Sequence, residues 1–214
     1  MNSDLFGDDC KGNISYVDAG LDVTFWMSLL GNGEASVFFE SLLSETEWTQ
    51  PEMWMYGRLV KIPRLTAWHG DRDAAYKYSG IVNNPAPWTS DLLKLKALIE
   101  SATSARYNSV LLNLYRNGND HLSWHRDDEA ELGDAPNIAS LSLGSSRTFS
   151  LRTKSVEARR NQYDWLLTHG SLLSMRGQTQ TLWEHSIKKE PKVTEPRINL
   201  TFRMVTPIQA NLHK

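Results

Sequence analysis

Residues Arg197-Ile198-Asn199-Leu200-Thr201-Phe202-Arg203-Met204 alternate between polar and apolar side chains without a break. An extended chain points successive side chains to opposite faces. Ile198, Leu200, Phe202 and Met204 are therefore set to pack on one side, and Arg197, Asn199, Thr201 and Arg203 line the other. The plainest reading is a strand with one solvated face. The alternative turns the polar face into the mouth of a barrel, where arginines form an anion clamp, because a guanidinium fork matches a carboxylate bidentately.

Outward from this strand, everything after residue 106 has the same texture. Short apolar or alternating runs are broken by turn residues at Ser109 to Tyr115, Ile138 to Leu143, Arg147 to Arg152, Asp164 to Leu167, Ser171 to Met175, Thr181 to Ser186 and Arg197 to Val205. This pattern predicts an antiparallel sandwich or barrel. Earlier in the chain, Ala35, Phe38, Phe39, Leu42 and Leu43 predict an amphipathic helix over Glu34 to Ser44. Leu92, Leu95, Leu98 and Ile99 predict a second over Ser90 to Ser101, with Thr89 or Ser90 as its cap. Ile14 to Leu30 mixes strand formers with residues comfortable in a helix and decides for neither. The expected architecture is mainly β within an α+β chain: helices packed against a two-sheet β core.

The length of 214 residues suits one domain, and 40% hydrophobic with 22% charged residues describes a soluble globular chain. No apolar run approaches a bilayer span, and the acidic start before Lys11 lacks the basic region of a secretory signal. The expected setting is intracellular, cytoplasmic in a bacterium or nuclear in a eukaryote, with no membrane partner and a monomeric state. Cys10 is the only cysteine, which excludes an intramolecular disulfide and a cysteine-rich zinc site. Any metal must therefore be held by His and carboxylate. The net charge of -2 gives no global signature of nucleic-acid binding, so that role would need a local basic patch.

Within Asn113 to Glu129, His125-Arg126-Asp127 places a histidine and a carboxylate on one face of an extended segment. With one more histidine they make a 2-His-1-carboxylate set, which leaves metal positions open for a co-substrate and oxygen. His185, in Trp183-Glu184-His185-Ser186, is the candidate third ligand. The rivals His69, His121, His169 and His213 are weaker, and any lone histidine is more often a plain core or surface residue. Asn113 and Tyr115 share a strand face and could add hydrogen bonds to the arginine clamp. An open metal beside such a clamp suggests a dicarboxylic co-substrate.

The ordered set Asn113-x-Tyr115, His125-x-Asp127, His185 and Arg197 to Arg203 resembles the AlkB family of Fe(II)- and 2-oxoglutarate-dependent dioxygenases, above all its DNA-repair branch. Pro63-Arg64 with Gly70-Asp71, and Tyr76-Lys77-Tyr78-Ser79-Gly80, resemble that branch's segments over the substrate, and the likeness spans about residues 56 to 205. The resemblance implies a double-stranded β-helix (jelly-roll) core over 106–207. An N-terminal extension over 13–105 would carry the nucleotide-recognition lid and helices packed on the core, and 1–12 would be flexible, all in one domain. It implies His125, Asp127 and His185 as Fe(II) ligands, counted as catalytic together with Arg203. Arg197 would clamp the remote carboxylate of 2-oxoglutarate, helped by Tyr115 and Asn113, with Asn199, Thr201 and Arg203 lining the rest of the pocket. With O2, the implied reaction removes N-methyl groups from DNA bases as formaldehyde and yields succinate and CO2. RNA or dual demethylation, and a non-catalytic jelly roll that binds a metal or small ligand, stand as alternatives.

On the substrate side the resemblance implies that Tyr78 and the His125 ring sandwich a flipped base, with Tyr76 and Glu129 at its polar edge. Glu129 is equally well one more acid in the solvated run Asp127-Asp128-Glu129. Met55-Tyr56-Gly57 falls where the duplex-preferring branch inserts an aromatic wedge, so Tyr56 is a candidate; ordinary core or edge strand is the simpler account of that cluster. Phosphate contacts would fall to Lys154, Arg159 and Arg160 in one loop and to Lys188, Lys189 and Lys192 in another, unless these are merely solvated loops.

Overall fold

Residues Arg197–Arg203 form a strand, and it is covered on both sides. The computed structural model describes residues 12–55, 57–74, 76–78, 81–154 and 161–206. In chain order the elements are strands β1 (Asn13–Asp18) and β2 (Leu21–Trp26), helix α1 (Asn32–Glu45), strands β3 (Glu52–Met55), β4 (Arg58–Lys61), β5 (Leu65–Gly70), β6 (Tyr76–Tyr78) and β7 (Ile81–Asn83), and helix α2 (Ser90–Thr103). Then follow strands β8 (Ser109–Tyr115), β9 (Leu122–His125), β10 (Ile138–Gly144), β11 (Arg147–Thr153), β12 (Gln162–Leu167) and β13 (Leu172–Met175), the one-turn helix α3 (Thr179–Leu182), and strands β14 (Trp183–Ile187) and β15 (Arg197–Arg203).

Seven strands make the larger sheet in the order β1-β2-β13-β10-β15-β8-β5, and four make the smaller in the order β12-β11-β14-β9. The last eight strands shuttle between the two sheets, and neighbours such as β8 and β15 are far apart in sequence. This is the double-stranded β-helix, or jelly roll. The larger sheet draws three further strands, β1, β2 and β5, from before residue 106. The hairpins β3–β4 and β6–β7 belong to neither sheet.

Alternation assigns each strand a face to each layer. Ile198, Leu200 and Phe202 of β15, with Leu112 and Leu114 of β8 and Leu141 and Leu143 of β10, pack under Phe38 and Leu42 of α1 and Leu92, Leu95 and Ile99 of α2. The opposite faces look between the sheets, where Phe25, Phe149, Leu151, Trp165, Met175 and Trp183 fill a second core. Helix α2 starts as its sequence implies: the Thr89 hydroxyl accepts from the Leu92 amide at 3.2 Å and satisfies one of the first-turn donors.

The undecided segment Ile14 to Leu30 is a β1–β2 hairpin, turned through Ala19 and Gly20 at φ 43° and 82°. The positive φ at Gly20 is the conformation that glycine adopts without strain. Edge strand β5 escapes the pattern reading because of its six residues only Thr66 and Gly70 are buried. The run expected as a strand from Thr181 begins with α3, and β14 starts at Trp183. Strand β15 stops at Arg203, so Met204 is 43% exposed and does not belong to the packed face.

Leu200→Ala is expected to cost roughly 2–5 kcal/mol through the cavity it leaves, and Thr89→Ala about 1 kcal/mol through the lost cap. Urea unfolding with a lowered midpoint and an unchanged slope checks both.

Candidate active site

His125 ends β9, and its Cα partner across the sheet is His185 of β14, so the pairing register brings the two rings to 4.1 Å between centroids. Asp127 lies two residues beyond the strand. The described residues contain one cluster able to hold a metal ion, His125, Asp127 and His185, whose ligand atoms all lie within 4.8 Å of one another. The three residues chosen from sequence are thus brought together.

Each ligand is prepared by its surroundings. His125 Nδ1 lies 2.9 Å from the Ser123 carbonyl oxygen, which can only accept, so Nδ1 carries the proton and Nε2 keeps its lone pair. That Nε2 is 3.8 Å from Asp127 Oδ1. The other carboxylate oxygen, Oδ2, accepts from Arg203 Nε at 3.2 Å and NH2 at 2.7 Å. Arg203 therefore occupies one oxygen of Asp127 and leaves the other to face the histidines. The Asp127 amide donates to the buried Gln180 Oε1 at 3.0 Å, which ties this segment to α3 and so to the strand carrying His185. Burial alone would raise the Asp127 carboxyl, but Arg203, aided by His185 and His125, brings it down to about 2. Burial, with His125 next, pushes His185 down to about 3, so its imidazole is neutral with a free lone pair.

Beyond the ligands a cavity of about 180 Å³ runs between the sheets, lined by both histidines and by Asn113, Tyr115, Asn199 and Thr201. The polar face of β15 thus turns inward. Arg197 is 1% exposed; its NH2 donates to Ser142 Oγ at 2.9 Å, while Nε and NH1 have no hydrogen-bond partner. Tyr115 sits opposite it in the β8–β15 register, its hydroxyl near the Arg197 guanidinium and without a further hydrogen-bond partner. Buried donors are normally paired, and a guanidinium most of all. Burial draws Arg197 down to about 10, still charged at neutral pH. A carboxylate is the group that would complete these donors, so the residues fit the remote end of a dicarboxylic acid.

The remaining expected contacts divide. Asn199 gives both amide hydrogens to β10, to Ser140 Oγ at 2.8 Å and the Leu141 carbonyl at 3.1 Å, and Thr201 lies 3.4 Å from its oxygen. Both hold the wall in register. Asn113 accepts from Arg64 Nε at 2.7 Å, which puts Arg64 on the cavity wall as well. Glu129 lies past the end of β9, exposed at the cavity rim, where desolvation and then Asp127 push its carboxyl upward. Tyr76 and Tyr78 belong to the β6–β7 hairpin. Tyr56, Arg159 and Arg160 lie outside the described residues. Lys154, Lys188, Lys189 and Lys192 are exposed, with Lys188 Nζ 5.6 Å from the centre of the Trp124 ring. Gln180 escaped the sequence reading altogether; a glutamine in a one-turn helix carries no periodic signal.

A family model described as 2OG-Fe(II) oxygenase superfamily matches residues 22–203. The DNA oxidative demethylase ALKBH2 of Homo sapiens is 38% identical over 194 residues, covering 87% of this chain and 74% of the relative. The chain belongs to the AlkB family. Alpha-ketoglutarate-dependent dioxygenase alkB homolog 3 of Bos taurus is 43% identical over 187 residues, and that of Homo sapiens 43% over 181. These cover 84% and 81% of this chain, which spans 65% and 63% of their lengths. The solved structure of OsALKBH1 has a TM-score of 0.62 at 17% identity, covers 88% of this chain and all of its own, and shares the fold. In this AlkB-family member the His-Asp-His cluster could hold a metal ion such as Fe(II).

Arg203→Met is expected to weaken metal binding by about 10–100-fold, the usual range when a ligand's hydrogen-bond partner is lost, measured by chelator competition. Stability of protein stripped of metal should fall as pH drops. Unfolded His185 takes a proton below about 6.5 and the folded residue only near 3. Asp127 adds a second loss between its ordinary value and about 2. Each proton sets a slope of at most about 1.4 kcal/mol per pH unit, and His185→Gln should flatten the higher window in urea titrations.

Proposed function

We propose that the protein is an Fe(II)- and 2-oxoglutarate-dependent oxidative demethylase of N-alkylated bases in DNA, acting inside the cell as a monomer. The observation that carries this reading is one cavity lined by the His-Asp-His cluster and by Tyr115, with the buried guanidinium of Arg197 against the Tyr115 ring. The curated relatives are named as a DNA oxidative demethylase and as alpha-ketoglutarate-dependent dioxygenases, which supports the same reaction. Among the described residues no helix is long and apolar enough to cross a membrane.

His125, Asp127 and His185 would hold the iron, and Arg197 with Tyr115 the remote carboxylate of 2-oxoglutarate. With these and O2 bound, the centre supplies oxidation of an N-methyl group, which leaves as formaldehyde while the co-substrate becomes succinate and CO2. The protein's own share is orientation. Ser123 and Arg203 keep the ligand atoms turned inward, and Arg197 fixes the co-substrate from behind. A methylated base must leave its stack to reach the cavity. The β3–β4 and β6–β7 hairpins would form the lid that receives it, and Glu129, at the cavity rim, would meet the base edge. On β3–β4 the cross-strand pair Trp54 and Leu59 is 73% and 52% exposed, which suits contact with stacked bases.

The test is incubation with matched single- and double-stranded DNA and RNA carrying methylated adenine or cytosine. Succinate, formaldehyde and restored base should appear together on DNA. His185→Ala should abolish all three, and Arg197→Gln should raise the KM for 2-oxoglutarate by about tenfold or more, as expected for a lost charged hydrogen bond. Turnover on RNA alone would move the substrate assignment, and no turnover on any strand would refute the repair function.

A further inference from the structure

Arg147 is fully buried, and none of the chemistry above uses it. It stands in phase with Phe149 and Leu151 on β11, so its side chain runs between the sheets. The guanidinium donates to three main-chain carbonyls on two loops. NH1 reaches Asn117 at 3.3 Å, and NH2 reaches Asp120 at 3.0 Å and Lys188 at 2.5 Å. Nε has no hydrogen-bond partner and faces the Glu190 carboxylate at 3.8 Å. The same loops meet at Gly118, whose amide donates to the Val193 carbonyl at 2.7 Å and whose carbonyl accepts from the Glu190 amide at 2.8 Å. A Cβ there would lie 1.7 Å from the Glu190 carbonyl oxygen, so only glycine permits this approach.

The guanidinium lies over the Tyr115 ring. Its central carbon is 5.6 Å from the ring centre, and that of Arg197 is 5.3 Å from the same ring. Two buried cations thus share one phenol, whose hydroxyl is unpaired. Each cation is attracted by the ring, but the two repel one another in a poorly screened interior. An anionic group at Arg197 and the Tyr115 hydroxyl would relieve that repulsion.

We propose that Arg147 is a positioning residue for the co-substrate's remote carboxylate, holding the Tyr115 phenol and the two loops behind it where Tyr115 and Arg197 receive that group. The inference rests on the reading of the cavity as a 2-oxoglutarate site. Lysine would keep the charge but lose the planar fork that stacks on the ring and serves three carbonyls at once.

The experiment measures equilibrium binding to Mn(II)-loaded protein by calorimetry, comparing 2-oxoglutarate with pyruvate, which has the same keto acid end and no remote carboxylate. In wild type, 2-oxoglutarate should bind more tightly than pyruvate; if it does not, the co-substrate reading itself fails. In Arg147→Lys, 2-oxoglutarate should weaken roughly tenfold, about one hydrogen bond to a charged group, with pyruvate and Mn(II) affinities unchanged. Equal weakening of both acids, or of neither, would overturn the role of Arg147. A second measurement needs no variant. In wild type, 2-oxoglutarate but not pyruvate should slow amide hydrogen exchange at Gly118 and Glu190, and identical exchange with the two acids would overturn the proposal.

Discussion

Strand β15 is buried on both faces, and only one of them is apolar. Ile198, Leu200 and Phe202 can be covered by helices at no polar cost, but Arg197, Asn199, Thr201 and Arg203 enclosed between two sheets must each find partners. Asn199 finds them in the neighbouring strand, Thr201 in Asn199 of its own strand, and Arg203 in Asp127. Arg197 finds Ser142 and the Tyr115 ring. The cavity is what remains of a polar face that the fold satisfies incompletely, and its chemistry follows from which donors are left over.

The same strand sets the limits of reading from sequence. Its alternation was legible, as was the grouping of His125, Asp127 and His185, because a two-residue period and a ligand count are local properties. Which face pointed inward was not, since that depends on whether helices cover the apolar side. Arg203 shows the consequence. Sequence placed it on the pocket wall, which it does line, but could not show that its fork sits on the Asp127 carboxylate. The β1–β2 hairpin was illegible because its strands carry bulky residues suited to either period and its turn uses Ala19 at positive φ, where glycine is expected. Arg147 left a trace that could have been followed: a charge in phase with Phe149 and Leu151 is an arginine aimed at the core.

The cavity and the residues behind it present different groups at the two ends. Asp127 stands at the metal end, with two histidines that burial or tautomer leaves able to donate lone pairs. Arg197 and Arg147 stand at the other, flanking Tyr115. A cation at the first end and a carboxylate at the second each lower the energy of the arrangement, and a keto diacid satisfies both demands with one molecule. The polarity also orients that molecule, because reversing it would leave the guanidinium facing a metal.

Formal charge is a poor guide to how such a protein meets a polyanion. The run Asp127-Asp128-Glu129 beside the cavity mouth counts as three negative charges in the sequence and suggests repulsion of phosphate. Asp127, however, is neutralised by Arg203, and Asp128 pairs with Arg126 at 2.6 Å. Desolvation and the proximity of Asp127 push Glu129 toward its neutral form. Two of the three acids are therefore paired with arginines, while the lysines at 154, 188, 189 and 192 remain exposed. An acidic chain can carry less repulsion at its mouth than its total suggests, because repulsion is set by uncompensated charge within a Debye length.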